Sequence, residues 1–357
     1  MNESTVSDVP AHLILYLGAD WWGSDARALA VALRIRKQLL VEVLYEDYFP
    51  MQGTSFSLRV LRRLGRSLFA TGFNRAVKAH AKNRALDFVL VFKGMLLRPA
   101  TLEPFRRAGI PLYCVYPDVS YKDHGRDIWD CLPLYDAVFT TKTFHLGDEE
   151  LRSRVKALVE VEHGHDPEVH RPVALSDRIR AAYECDVSFV GCWSPKKEDL
   201  IGSLIKQLGQ LDIRIYGPGW QHASAAVGAH WQKRGAFGDE YALICAASRI
   251  NLGLLSEAGG GMRLGDQTTA RTWQIPACGG FMLHERTEEL ARYFEPEKEV
   301  GTFSGATELV EKVACYLEND ALRRSIAQAG LLRSRRDTYT YDAMAKTILN
   351  YHRDKVA

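Results

Sequence analysis

Short apolar runs bounded by glycine, proline or charge recur along the chain. In the first half they are Leu13–Leu17, Val41–Tyr45, Asp87–Phe92, Pro111–Tyr116, Tyr135–Thr140 and Val155–Val161. In the second half they are Val187–Gly191, Ile213–Tyr216, Ile250–Leu255 and Phe281–Leu283. Strand-length runs with little polar alternation are what a parallel sheet covered on both faces requires. Between them the apolar period lengthens to that of a helix. Ser24 or Asp25 caps a helix running to about Gln38, with Ala28, Val31, Leu33 and Ile35 as its apolar positions. Further helices are expected over 101–108, 198–208 (Pro195 at its start), 239–247, 306–318, 320–335 and 340–353. Strand and helix in alternation predict an α/β chain. The polar, proline-bearing stretch His163–Pro172 interrupts the alternation and reads as a hinge between domains rather than as a metal site.

Residues 249–285 carry the clearest local chemistry. An apolar strand runs into a loop with Gly259, Gly260 and Gly261, then a short helix through Arg271, then a second strand. In a parallel sheet, ligands sit in loops leaving the carboxyl ends of strands. A helix start offers unpaired N–H groups and the positive end of its dipole to an anion. Arg271, about one turn into that helix, adds a fixed charge suited to phosphate. The stretch therefore reads as a diphosphate site. The opening strand–helix–strand has no Gly-x-Gly-x-x-Gly fingerprint, so no dinucleotide site is expected there.

Composition narrows the class. With 357 residues, 46% hydrophobic and 25% charged, the chain has the make-up of two ordinary globular domains. A net charge of +2 gives no electrostatic case for nucleic acid. Seven cysteines stand as singletons, which argues against a disulfide framework or a zinc motif and for a reducing, cytoplasmic setting. The N-terminal stretch does not read as a signal peptide, and no run is long enough to cross a bilayer. Residues 48–86 hold no acid but eight bases, with Leu58, Leu61, Leu64 and Leu68 at helical spacing. Residues 58–84 are thus a candidate for peripheral contact with anionic lipid on the inner face of the membrane, against the plainer reading of a docked helix with a solvated face.

The run Thr269-Ala270-Arg271-Thr272-Trp273-Gln274-Ile275-Pro276-Ala277-Cys278-Gly279-Gly280-Phe281, with Val187–Gly191 and Ile215–Trp220 before it, resembles the spore-maturation (CgeB-like) glycosyltransferases of the "glycosyl transferases group 1" set. The likeness runs through residues 186–340. It implies the GT-B fold: two facing Rossmann-like domains with a cleft between them and a C-terminal helix crossing back. The expected division is an acceptor-side domain over 1–165, a nucleotide-sugar domain over 166–338, and the last helix over 339–357. The implied activity moves a hexose-like sugar from a nucleotide donor to a glycan, lipid-linked or protein acceptor in cell-envelope glycan synthesis. No cofactor is implied beyond the nucleotide-sugar co-substrate, and no metal.

By the same resemblance the donor site comprises Gly191, Lys196, Lys197, Tyr216, Gly217, Gly260, Gly261, Asp266, Thr269, Arg271 and Gln274. The acceptor side comprises Gly18, Trp22 and Lys93. Catalytic candidates are Asp20, Asp118 and His124, which with Asp123 fall on loops after strand ends. Two departures stand out. Group 1 enzymes often carry two glutamates eight positions apart, where this chain has Asp266 and Gln274. Many relatives show arginine after the glycine at 191, where this chain has Cys192. These departures motivate two alternatives: another GT-B sugar-nucleotide enzyme, such as an epimerase, and a non-catalytic GT-B binding module.

Overall fold

The computed structural model describes residues 11–44, 69–259 and 261–356. They divide into two compact units, residues 1–162 with 259–262 and 341–357, and residues 163–258 with 263–340.

In the first unit the strands are β1 (Leu13–Gly18), β2 (Leu39–Leu44), β3 (Phe88–Phe92), β4 (Leu112–Tyr116), β5 (Ala137–Thr140) and β6 (Leu158–Glu160). All pair in parallel in the order β2-β1-β3-β4-β5-β6. Every residue of β3 and β4 is buried, which explains why these runs show no polar alternation. The helices are α1 (Asp25–Ile35), α2 (residues 69–79), α3 (Pro99–Arg107), α4 (Arg126–Cys131), α5 (Glu149–Arg154) and the last helix of the chain, α14 (Tyr341–Val356). Ser24 caps α1, its Oγ accepting from Arg27 N at 3.1 Å. On α14, Met344, Ala345, Ile348 and Leu349 enter the same core as Ile14, Tyr16, Leu29 and Leu33. The chain's end is therefore built into the unit where it began, as expected.

Part of the basic stretch, residues 58–68, lies outside the described residues. Over 69–84, Phe73, Val77 and Ala81 are buried in the first unit's core while Arg75, Lys78, Lys82 and Arg84 are exposed. This segment is a docked helix with a solvated basic face. Among the described residues no helix is long and apolar enough to cross a membrane.

The second unit has β7 (Cys185–Val190), β8 (Ile213–Tyr216), β9 (Ser248–Gly253), β10 (Met282–Glu285) and β11 (Gly301–Phe303), parallel in the order β11-β10-β9-β7-β8. Its helices are α6 (Asp177–Tyr183), α7 (Pro195–Leu208), α8 (Ala225–Gly228), α9 (Asp239–Ala247), α10 (Ala270–Ala277), α11 (Leu290–Tyr293), α12 (Gly305–Glu318) and α13 (Asp320–Arg336). Strand order reverses between β7 and β9, and such a switch point opens a crevice at the strands' carboxyl ends. The stretch read as a hinge, His163–Pro172, starts where the second unit starts, at residue 163. His163, His165, Asp166 and His170 are all buried, and His165 N donates to Tyr339 O at 3.0 Å. Burial first, then the neighbouring His165, pushes His170 down to about 3, so its neutral Nδ1 accepts from Asp166 N at 3.1 Å.

Candidate donor site and acid–base cluster

The loop leaving β7 is shaped by glycines. Gly217 has φ +133°, and a Cβ there would collide with Gly191 O. The two loops approach this closely because position 217 carries no side chain. Gly191 N donates to Tyr216 O at 2.8 Å, and Trp220 Nε1 donates to Gly191 O at 2.9 Å. The Tyr216 side chain, expected to border a base, is enclosed with Ala236 and Ile244. Only the Gly217 turn after it remains at the strand end.

Arg271 ties the switch point together. Its Nη1 donates to Val190 O at 3.2 Å and its Nη2 to Leu254 O at 2.7 Å, joining the ends of β7 and β9. The guanidinium lies over the Phe189 ring, 5.2 Å from its centroid. Its Nε is buried with no acceptor among the described residues. Lys197, in the first turn of α7, is 3% exposed. Its Nζ donates to Ser256 Oγ at 3.1 Å and Cys192 O at 3.3 Å. Burial first, then the Arg271 charge, pushes Lys197 down to about 8, against the opposite pull of Asp266 and Glu257. Neither Arg271 nor Lys197 forms an ion pair among the described residues. Two cations without bound counter-charge at one strand edge suit a ligand with two phosphates.

Lys196 is a different case. Its Nζ is 2.7 Å from Glu285 Oε2, and Glu285 Oε1 also accepts from Leu255 N at 2.6 Å. Its charge is thus already matched by a carboxylate, unlike that of Lys197. Lys196 N donates to Glu257 Oε1 at 2.9 Å, so a carboxylate occupies the start of α7. Burial raises the Glu257 carboxyl, but hydrogen bonds from Ser194 and Lys196 N and the nearby Lys197 charge hold it below its usual value.

The start of α10 is fixed from beneath. Thr269 is its N-cap residue, and Thr272 Oγ1 accepts from Thr269 N at 3.0 Å. Thr272 Oγ1 in turn meets His284 Nε2 at 2.9 Å, while His284 Nδ1 donates to the Glu285 carbonyl at 2.6 Å. Burial first pushes His284 down to about 4, so this imidazole is a neutral acceptor for the Thr272 hydroxyl. Asp266 holds the preceding loop, its N donating to Ser256 O at 2.9 Å and its Oδ2 accepting from Ser256 N at 3.4 Å. Gln274 is buried on α10, one turn beyond Arg271. Gly260 lies outside the described residues. Gly261 is exposed at φ +85°, and no described contact joins it to Arg271 or Lys197. Cys192 is an exposed thiol. Sequence reasoning missed Ser256, Glu257, His284 and Glu285. Nothing in the spacing of His284 and Glu285 marks them as supports.

In the first unit the chain gathers Lys93, Asp118 and His124. Lys93 Nζ and His124 Nε2 lie 2.6 and 2.9 Å from the same oxygen, Asp118 Oδ2. Lys93 immediately follows β3 with φ +68°, a left-handed conformation that costs a non-glycine residue energy and is retained where position matters. Burial raises the Asp118 carboxyl, but His124 and Lys93 outweigh it and hold it well below the usual carboxylate range. The loop is supported by the buried His145, whose Nε2 donates to Val119 O at 2.8 Å and whose Nδ1 accepts from Thr140 Oγ1 at 2.6 Å. Asp20 pairs with Arg27 at 3.0 Å, and Arg27 lies over the Trp22 ring at 5.2 Å. Trp22 is 40% exposed. A Cβ on Gly18 would stand 3.0 Å from the Tyr16 ring, so that glycine serves packing. No described contact joins Asp20 to Asp118.

Residues 196–350 match the family model described as glycosyl transferase-like. No curated protein matches the chain. Among solved structures, a sucrose-phosphate synthase from Thermosynechococcus elongatus is similar at 15% identity and TM-score 0.63, over 97% of this chain and 99% of that one. The Anabaena protein HepE, in complex with UDP and glucose, is 14% identical with TM-score 0.65, over 95% and 99%. A Listeria monocytogenes protein assigned as a UDP-N-acetylglucosamine 2-epimerase is 11% identical with TM-score 0.54, over 95% of each chain. The two parallel-sheet α/β units thus form the GT-B fold.

Proposed function

We propose that the protein is a glycosyltransferase that takes a nucleoside diphosphate sugar as donor. One observation carries this reading: Arg271 and Lys197, both cationic and both without an ion-pair partner among the described residues, stand at the β7/β9 switch point beside the start of α10. These groups neutralise the leaving diphosphate, a role that needs no metal at the phosphates. Affinity for the nucleotide is therefore expected to be the same with magnesium and with a chelator. The family match over residues 196–350 and the UDP–glucose complex of HepE support a uridine nucleotide and a hexose as the first donor to try. The Lys93–Asp118–His124 cluster supplies acid–base chemistry, with Asp118 keeping the imidazolium of His124 available after it takes an acceptor proton. The acceptor is a glycan, a lipid-linked sugar or a protein. The CgeB-like run 269–281 supports a place in cell-envelope glycan synthesis, on the cytoplasmic side, and the exposed basic face over 75–84 suits contact with anionic lipid.

Incubation with a panel of nucleotide sugars and acceptors tests the reading. Nucleoside diphosphate released only when acceptor is present supports it. The second reading, an epimerase, draws on the Listeria neighbour and on the carboxylate–histidine–lysine cluster. Isomerised donor without acceptor would favour it. Binding without turnover of any donor would leave a sugar-nucleotide-binding module.

A further inference from the structure

His12, Asp87 and His352 are distant in sequence, and no spacing motif links them. In the first unit one nitrogen of each histidine and one Asp87 oxygen lie within 4.8 Å of one another. His12 immediately precedes β1 and Asp87 immediately precedes β3, so both stand at the amino ends of paired parallel strands. Lys93 and Asp118 follow the carboxyl ends of β3 and β4, at the opposite edge of the sheet. His352 reaches the group from α14.

Both histidines are buried, 7% and 2% exposed, whereas the Asp87 side chain is 41% exposed and gives solvent a route in. The two imidazoles meet edge to face with centroids 4.9 Å apart. His12 Nδ1 is 3.6 Å from Asp87 Oδ1, and Asp87 Oδ2 accepts from Leu13 N at 2.7 Å, which fixes the carboxylate. His352 Nδ1 is 3.0 Å from Tyr113 Oη. With that nitrogen donating to the phenol oxygen, the other nitrogen of His352 presents a lone pair, the arrangement a partner beyond the ligands gives a metal-bound imidazole. His12 Nε2 is buried and has no hydrogen-bond partner among the described residues, a situation that is costly in a protein interior.

We propose that His12, Asp87 and His352 bind a divalent transition metal, best matched by zinc, which clasps α14 to the sheet of the first unit. Two imidazoles and a carboxylate, with water as fourth donor, make a borderline set of the kind zinc takes tetrahedrally. Bonds of about 2.0–2.1 Å would place the donors roughly 3.4 Å apart, so side-chain rotation must draw the three inward on binding. The role is structural and separate from donor binding, which lies in the other unit.

The test uses the full chain, stripped of metal, titrated with zinc by calorimetry and with cobalt by its visible absorption. Asp87→Asn retains an acceptor for Leu13 N while removing the anionic ligand, and His352→Gln removes one imidazole. The expected result is one tight zinc per chain, a tetrahedral cobalt spectrum, and a melting temperature raised by zinc. Each variant weakens zinc binding by at least about 100-fold, since even partners beyond the ligands are worth about 10–100-fold. Affinity for UDP stays unchanged throughout. Absence of zinc binding by the wild-type chain overturns the proposal, as does zinc binding of equal affinity in a natively folded Asp87→Asn protein. Should His352→Gln fail to fold, Asp87→Asn alone decides.

Discussion

A Cβ added to Gly191 would lie 2.9 Å from Arg271 Nη1 and 2.7 Å from Phe189 Cζ. The glycine thus leaves the space in which the guanidinium rests on the phenyl ring and reaches the ends of β7 and β9. Gly191→Ala is expected to displace Arg271 and to cost about 1–3 kcal/mol of stability, the usual penalty for overpacking. Nucleotide affinity should fall about tenfold or more through the moved cation. Denaturant titration and calorimetry with UDP check the two effects. Unchanged values for both would mean that Arg271 is not held as described.

Arg271→Ala should weaken nucleoside diphosphate binding by roughly 1.5–3 kcal/mol, the scale of a lost charged hydrogen bond. Arg271→Lys should recover little of this, because a single ammonium cannot span Val190 O and Leu254 O as the planar fork does. Calorimetry on both variants measures it. A lysine variant that binds like wild type would reduce Arg271 to a point charge.

Much of the fold was legible because its causes are local. The buried runs at β3 and β4, Ser24 before α1 and Pro195 at the start of α7 announce themselves at short range. Arg271 was legible as a cation near a helix start, but its grip on two strand ends was not, since Val190 and Leu254 contribute only backbone oxygens. The pairing of Lys196 with Glu285 spans 89 positions and has no periodic signature. His163–Pro172 reads as a hinge because histidine, aspartate and proline are polar or helix-breaking by type. Within the second unit His163, His165, Asp166 and His170 are enclosed, with His165 and His170 held neutral by burial, while Pro167 and Pro172 are exposed.

Lys197 gives a pH signature. Burial, then Arg271, lowers it from 10.5 to about 8. Between those values the unfolded chain holds more protons than the folded one, so this residue makes stability rise with pH through that window. Lys197→Met should therefore be more stable than wild type at pH 7, by on the order of 1–3 kcal/mol, and should lack that rise. Ligand binding runs the other way. A diphosphate favours the ammonium, so affinity for UDP should be greatest below about pH 8 and fall as pH rises past it. In Lys197→Met the affinity is lower and flat over pH 7 to 9 (roughly, the span set by this one group). A wild-type affinity that rises across the same interval would contradict a protonated Lys197 at the phosphates.

Asp118→Asn removes the charge shared by Lys93 and His124 while keeping the shape of the side chain. Turnover should fall by about 10²–10⁴-fold, the range for loss of a general acid–base group or its support. The dissociation constant for UDP, set in the other unit, should stay within about twofold, well under the tenfold that 1.4 kcal/mol represents. Parallel loss of affinity would indicate a folding defect. Full activity with intact binding would remove the cluster from the chemistry.

Gln274 stands where the resemblance of the run 269–281 leads to the expectation of a glutamate. It is buried on α10, one turn beyond Arg271. If it faces the nucleotide ribose, its amide makes a neutral hydrogen bond where a glutamate would make a charge-assisted one, a difference of about 1 kcal/mol. Gln274→Glu should then strengthen UDP binding up to several-fold, with the added carboxylate one helical turn from Arg271. Gln274→Leu should weaken it by leaving a ribose hydroxyl unpaired, at a cost of about 1–3 kcal/mol. The comparison also reads out the donor sugar. Were the sugar itself acidic, Gln274→Glu would weaken binding of the intact donor while still strengthening that of UDP, because the repulsion requires the sugar. Calorimetry of the three proteins with UDP and with the donor identified by the panel separates these cases. Equal affinities in all three proteins would show that residue 274 does not reach the ligand, and the ribose contact would have to be sought elsewhere on the β7/β9 edge.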